Sequence, residues 1–237
     1  KKYISTPLGE FTAPLSCRDG LFGPSAFTDF IHEAQLKTTG ADISFSTILQ
    51  MDAQINKGTV TIRDMFNLYK FENGLYIMKF TGKEIDNYLE YAAGLQYNTM
   101  TSPQDHLLHF KKNDKGEPIT DKHGKLLLAA PFYNYSCAAG IKYTVDVSKE
   151  PGNRVEIKSF TNGRPFCADS TYTVAINSYR GNGGGGHLTI GMGLSKEEIN
   201  NRIIKIWNKD VRYYLTEYIK EQQIVTPTCR HDWEVIP

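Results

Sequence analysis

The 237-residue chain has almost no net charge, with 27 Lys and Arg against 26 Asp and Glu. That balance supplies no field to hold a nucleic-acid polymer or a membrane surface. No apolar run is long enough to span a bilayer, and the opening Lys1-Lys2-Tyr3-Ile4 does not read as a secretory leader. The four cysteines, Cys17, Cys137, Cys167 and Cys229, include no C-x-x-C pair. Neither a zinc site nor a thioredoxin-like motif is therefore signalled, and an even count permits disulfides without showing them. Hydrolytic signatures are missing too. There is no G-x-S-x-G and no H-E-x-x-H, and the six histidines are scattered singly. A catalytic reading needs a nucleophile with its base, a carboxylate pair or a metal cluster. With none legible, the residues favour binding over bond-breaking.

What is present is an ordinary globular composition, 40% hydrophobic and 22% charged, rich in Tyr and Phe. Such a chain can bury a sizeable core. Ile4 to Leu15 reads as an edge strand or an extended entry. Ser25 caps a helix with Phe27, Phe30, Ile31 and Ala34 on one face, and Gly40 ends it. His32 is expected on the surface of that helix. Asp42 to Leu49 and Leu75 to Phe80 read as strands, with Asn73-Gly74 as a turn before the second. Thr81-Gly82-Lys83-Glu84 is a capping box, opening a helix with Ile85, Tyr88, Leu89 and Ala92 on one face and Gly94 as its stop.

Gln96 to Leu128 reads as a solvated hairpin or loop, its carboxylates sitting inside turn sequences rather than in a metal cluster. Tyr143 to Val147 and Arg154 to Phe160 form a hairpin across Pro151-Gly152-Asn153. Ser195-Lys196-Glu197-Glu198 is a second capping box, whose helix carries Ile199, Ile203, Ile206 and Trp207 on one face. Asp210 to Gln222 is helical, burying Tyr214, Leu215, Tyr218 and Ile219, and the tail from Ile224 to Pro237 is irregular. One α+β domain spanning 1–237, with mixed sheets and packed helices, is the simplest arrangement.

The stretch with most chemical promise is Ala175 to His187. A strand from Thr171 to Ile176 runs into Asn177-Ser178-Tyr179-Arg180-Gly181-Asn182 and then four consecutive glycines, Gly183 to Gly186. Strand ends that open into such loops are common ligand positions. The run lacks the lysine that a P-loop places on phosphates, although backbone N–H groups can still cradle an anion. A plain surface loop stands against this, with Asn177 capping it, Arg180 paired to a carboxylate and His187 a loop histidine.

Two segments carry a family resemblance. Thr59 to Ala93, with F-E-N-G-L-Y-I-M-K-F-T-G-K-E-I at its centre, resembles the C-terminal domain of the secreted 5′-nucleotidases. The N-x-Y-R-x-x-G-G-G-G run and Pro131-Phe132-Tyr133-Asn134-Tyr135 look closer to the 2′,3′-cyclic-nucleotide 2′-phosphodiesterase/3′-nucleotidase branch. The resemblance implies a layered α/β/β/α sandwich of mixed sheets with helices outside. It implies a substrate-recognition domain that grips a nucleobase between two rings. Phe71 and Tyr179 match those rings, Asn73 matches a base-contacting Asn, and Asn177, Arg180, Gly183, Gly184 and Gly185 complete the candidate substrate-binding set. No catalytic or metal-binding residue is expected in this chain, and no cofactor.

In the family, hydrolysis belongs to an N-terminal metallophosphoesterase domain with two divalent metals. Its D-x-H, G-D and G-N-H-E blocks are absent here, so that partner is expected in cis or in trans. Two positions depart from the 5′-nucleotidase pattern. Gly185 stands where an Asp holds the ribose hydroxyls, and Asp52 lies near the place of a phosphate-contacting Arg. Neither change suits 5′-nucleotide binding, and the missing ribose carboxylate fits a substrate phosphorylated at the 2′ or 3′ oxygen. A periplasmic or extracellular location follows from the resemblance. The alternative is a non-catalytic structural or protein-interaction module that has lost the nucleotide pocket.

Overall fold

The computed structural model describes residues 3–237. Strands β1 (Pro7–Phe11) and β2 (Leu15–Ser16) lead into α1 (Ala26–Thr39) and β3 (Ile43–Thr47). Next come β4 (Gln54–Ile55), β5 (Gly58–Thr61), α2 (Ile62–Leu68), β6 (Gly74–Thr81) and α3 (Gly82–Gln96). After a long arm follow β7 (Ser136–Ala139), β8 (Ile141–Asp146), β9 (Val155–Phe160) and β10 (Thr171–Asn177). One helical turn, α4 (Ser178–Gly181), precedes α5 (Lys196–Arg202), β11 (Ile203–Asp210), α6 (Val211–Gln222), β12 (Ile224–Val225) and β13 (Trp233–Ile236).

A mixed five-stranded sheet, in the order β11-β6-β10-β3-β7, carries α1 on one face and α3 on the other. The alternation of side chains along β3 divides its contacts between the two helices. Ser44 faces α1, meeting His32 Nδ1 at 2.9 Å and accepting from Gln35 Nε2 at 2.7 Å. Phe45 faces α3, and its ring stacks on Tyr88 at 3.9 Å. All five residues of β3 are buried, as a strand covered on both faces requires. The far side of α3 packs on a second sheet, β13-β8-β9, where Tyr143 stacks on Trp233 at 5.3 Å. The far side of α1 meets α6 and a third sheet, β12-β1-β5, through edge contacts of Phe30 with Tyr218 and Phe11. The fold is thus α+β, with several mixed sheets and helices layered on them.

Both expected capping boxes form, with Thr81 N donating to Glu84 and Ser195 N donating to Glu198. Ser25 caps α1, and Gly40 closes it at φ 66°, a conformation glycine adopts without a Cβ clash. The hairpin β8–β9 stands where the pattern placed it. Residues 97–128 form an arm held by isolated bridges, including Phe110 with Leu128 and Thr120 with Leu126, with turns at Gly116 and Gly124.

Five expectations need correction. Gly94 does not stop α3, which continues to Gln96. The buried Arg154 guanidinium donates to the carbonyls of Ala93 and Tyr97, satisfying the helix end that glycine was expected to provide. His32 is buried, not superficial, because its helix face is pressed between β3 and β7, and its Nε2 lies 3.4 Å from Cys137 Sγ. Ile203, Ile206 and Trp207 do not continue α5. The β-branched pair Ile203-Ile204 begins β11, which runs antiparallel to β6.

The first strand is not an edge, since β1 sits between β12 and β5. The tail is not irregular. It supplies β12 to the edge of β1 and β13 to the edge of β8, so that with β11 the last part of the chain closes one edge of each of three sheets.

Burial pushes the His32 imidazole from its ordinary 6.5 down to about 3, with the Arg230 charge adding to the effect. The folded protein thus keeps His32 neutral where the unfolded chain takes up a proton. Its contribution is complete above about pH 6.5 and is lost as pH falls toward 3, at about 1.4 kcal/mol per pH unit. Urea unfolding at a series of pH values across that window should show this slope, and His32→Gln should flatten it. Deleting residues 224–237 bares the edges of β1 and β8. Size-exclusion chromatography with light scattering should show the truncated chain aggregating under conditions where the full chain does not.

Candidate functional site

Four segments far apart in sequence meet at one end of the central sheet, and strand register explains why. Strands β10 and β6 are antiparallel, from Thr171 opposite Thr81 to Asn177 opposite Leu75. The start of β6, with Phe71 and Asn73 just before it, therefore lies beside the end of β10. Strand β3 runs parallel to β10, so its C-terminal end reaches the same rim with Thr47 and Leu49. Strand β7 is antiparallel to β3, with Ser136 opposite Thr47, which brings in Tyr133 to Tyr135. The seam is closed where Gly74 N donates to Ser178 Oγ at 2.9 Å.

A cavity of about 280 Å³ opens at this rim, lined by Thr47, Leu49, Phe71, Asn73, Tyr133, Asn177, Tyr179 and Arg180. Phe71 and Tyr179 remain 40% and 45% exposed, so their rings are open to a ligand. Tyr133 is a third ring, set edge-on to Phe71 with centroids 6.5 Å apart. Asn177 caps α4, its side chain accepting from Arg180 N at 2.9 Å. Asn73 Nδ2 points to the Tyr69 hydroxyl at 3.4 Å, and burial raises that hydroxyl's pKa to about 12, so it stays protonated.

Arg180 is only 3% exposed and pairs with no carboxylate among the described residues. Its Nη1 donates to Gly184 O at 2.8 Å and Asn134 Oδ1 at 3.1 Å, its Nη2 donates to Tyr133 O at 2.6 Å, and its Nε has no partner. The carboxylate pairing of the plain-loop reading is therefore not formed. His187 is fully buried rather than a loop histidine. Its Nδ1 lies 3.2 Å from Gly185 O and its Nε2 3.0 Å from Asn134 O. Burial, and then the Arg180 charge, push its pKa well below 6.5, so the ring is neutral.

The eight candidate residues thus divide. Phe71, Asn73, Asn177, Tyr179 and Arg180 line one cavity, while Gly183, Gly184 and Gly185 lie outside its lining. The glycines provide clearance behind it. A Cβ on Gly184 would come within 2.6 Å of the Tyr179 ring. Gly185 has φ 75°, and a Cβ there would overlap Arg180 Nη1 and approach Asn134 Oδ1 to 2.5 Å. Asp52 stands on a neighbouring depression with Lys70, 3.7 Å from Arg18, with both side chains exposed.

Thr47 and Leu49 carry no site signal in the sequence, because one ends an ordinary buried strand and the other is a buried leucine just beyond it. Tyr133 lies inside the Pro131–Tyr135 segment, where nothing local sets it apart from its aromatic neighbours. Among the described residues no three His, Cys, Asp or Glu side chains gather to hold a metal ion, and no helix is long and apolar enough to cross a membrane.

The chain is 29% identical over 198 residues to the trifunctional nucleotide phosphoesterase protein YfkN of Bacillus subtilis, covering 77% of this chain and 12% of that protein. It is 23% identical to the 2′,3′-cyclic-nucleotide 2′-phosphodiesterase/3′-nucleotidase of Haemophilus influenzae, covering all of this chain and 38% of the relative. It therefore spans well under half the length of both relatives. Its fold matches a putative 5′-nucleotidase of Staphylococcus aureus with a TM-score of 0.74 at 20% identity, over 100% of this chain and 42% of that one. The 5′-nucleotidase precursor of Thermus thermophilus gives 0.72 at 19%, over 99% and 40%. Residues 5–191 match the family model described as 5′-nucleotidase, C-terminal domain, and the chain belongs to that family.

Proposed function

We propose that this domain recognises the nucleoside part of a nucleotide, holding the base between Phe71 and Tyr179, while a separate two-metal metallophosphoesterase domain performs the hydrolysis. The observation that carries the reading is the convergence of these two half-exposed rings, with Asn73 and Asn177, on one 280 Å³ cavity. Flat bases stack on such rings regardless of sequence, and amides then orient them. The catalytic domain acts in cis or in trans, and on this reading the divalent metals are its own. The setting is the periplasm or the extracellular space.

The preferred substrate carries phosphate on the 2′ or 3′ oxygen, as a monoester or a cyclic diester. The names of the phosphodiesterase/3′-nucleotidase relatives support this. So does the glycine loop, where Arg180 fills the space that a side chain at position 185 would need. The wall there presents a buried cation instead of a carboxylate that would repel phosphate.

Titration calorimetry with adenosine, 3′-AMP and 2′,3′-cyclic AMP tests the stacking. Tyr179→Ala should weaken each by about 5- to 160-fold, the roughly 1–3 kcal/mol of one ring–base contact. Equal binding by wild type and variant, or none by either, refutes the stacking model. In a phosphate-release assay with added Mn²⁺ or Zn²⁺, the chain alone should show no turnover. Metal-dependent hydrolysis that survives repurification would place the chemistry in this chain.

A further inference from the structure

We infer that Tyr133 is the specificity-determining third wall of the cavity, and that it favours purine over pyrimidine nucleosides. The inference rests on the nucleoside reading above and goes beyond its two-ring sandwich. Tyr133 is half-buried, further in than either Phe71 or Tyr179. Its plane stands at 71° to that of Phe71. A base stacked parallel to Phe71 therefore stands nearly perpendicular to the Tyr133 ring. Contact between the two depends on how far the base reaches inward. The fused second ring of a purine extends the stacked plane toward Tyr133, and a single-ringed pyrimidine stops short of it.

The Tyr133 hydroxyl makes no hydrogen bond to the described residues, although Tyr133 O is held by Arg180 Nη2 at 2.6 Å. The phenol of this cavity-lining residue thus remains a free donor and acceptor, able to pair with the ring nitrogens and exocyclic groups of a purine. Its position is not left to side-chain packing alone. One buried guanidinium joins the backbone of Tyr133, the side chain of Asn134 and the backbone of Gly184, and Gly184 lies directly behind the Tyr179 ring. Arg180 is accordingly a positioning residue that sets the Tyr133 wall against the Tyr179 wall. Edge contacts from Phe132 to Tyr133 at 5.6 Å and from Tyr133 to Phe71 complete the row.

The test is calorimetric titration of the full chain with adenosine, guanosine, cytidine and uridine, for wild type, Tyr133→Phe, Tyr133→Ala and Tyr179→Ala. Wild type should bind the purines more tightly. Tyr133→Ala should weaken purine binding about 10-fold and leave pyrimidines within about 2-fold, narrowing the preference. Tyr133→Phe, which keeps the ring and is the safer variant for folding, should lose about 3- to 10-fold on purines alone, the worth of one hydrogen bond. Tyr179→Ala should weaken all four ligands together. A Tyr133→Phe and Tyr133→Ala pair that lowers purine and pyrimidine affinity by one common factor, or changes neither while Tyr179→Ala still matters, overturns the assignment of Tyr133 and leaves the stacking reading standing. No binding of any nucleoside by wild type overturns both.

Discussion

The site depends on the antiparallel ladder between β6 and β10. Every proposed contact of the cavity is carried on the flanks of that ladder or on strands registered against it. Opposite pairing of Asn177 with Leu75 sets Asn73 near Ser178, and Phe71 and Tyr179 then follow onto one rim. A slip of one residue would turn alternate side chains to the opposite face and break the match between the two segments. Burial on both faces of the sheet makes such a slip costly, because Met78, Phe80, Val174 and Ile176 on one face and Leu75, Ile77 and Ala175 on the other are all buried. The hydrophobic core thereby fixes the spacing of a half-exposed site to which it contributes Leu49.

Around that rim the electrostatics are uneven. Arg180 is buried among carbonyl oxygens, one amide and neutral rings, with His187 held uncharged beside it. Burying a charge is expensive unless its hydrogen bonds are met. Three protein acceptors meet part of that need, and the buried Nε is left without a partner. The glycines serve this arrangement sterically, as the space into which the guanidinium and the Tyr179 ring are folded.

Much of this is legible in the sequence, for physical reasons that differ by element. The capping boxes at Thr81 and Ser195 are local, so three or four residues suffice to announce them. The Phe71 and Tyr179 segments are legible as family motifs, and the structure places them together. What escapes the sequence is non-local. Gly94 looks like a helix end because the carbonyl cap comes from Arg154, 61 positions beyond Ala93. Ile203 to Trp207 fits a helical face as well as a strand, and only the open edge of β6 decides for the strand. His32 and His187 carry no sign of burial, since their partners Ser44, Asn134 and Gly185 come from other elements or from backbone carbonyls. Tyr133 is hidden for the same reason. Its meaning lies in a ring from one segment and a guanidinium from another.

The order in which the sheets are completed has a consequence for how the chain is made. Each of the three larger sheets takes an outer strand from residues 203–236, and the family match ends before them at residue 191. During N-to-C synthesis, β6, β1 and β8 emerge with an edge uncovered, and the strands that cover them emerge last. Long-range pairing of this kind is slow and leaves sticky edges in the interval. The three sheets are therefore completed only once residues 203–236 have been made, and the rim on β6 gains its outer neighbour at that moment.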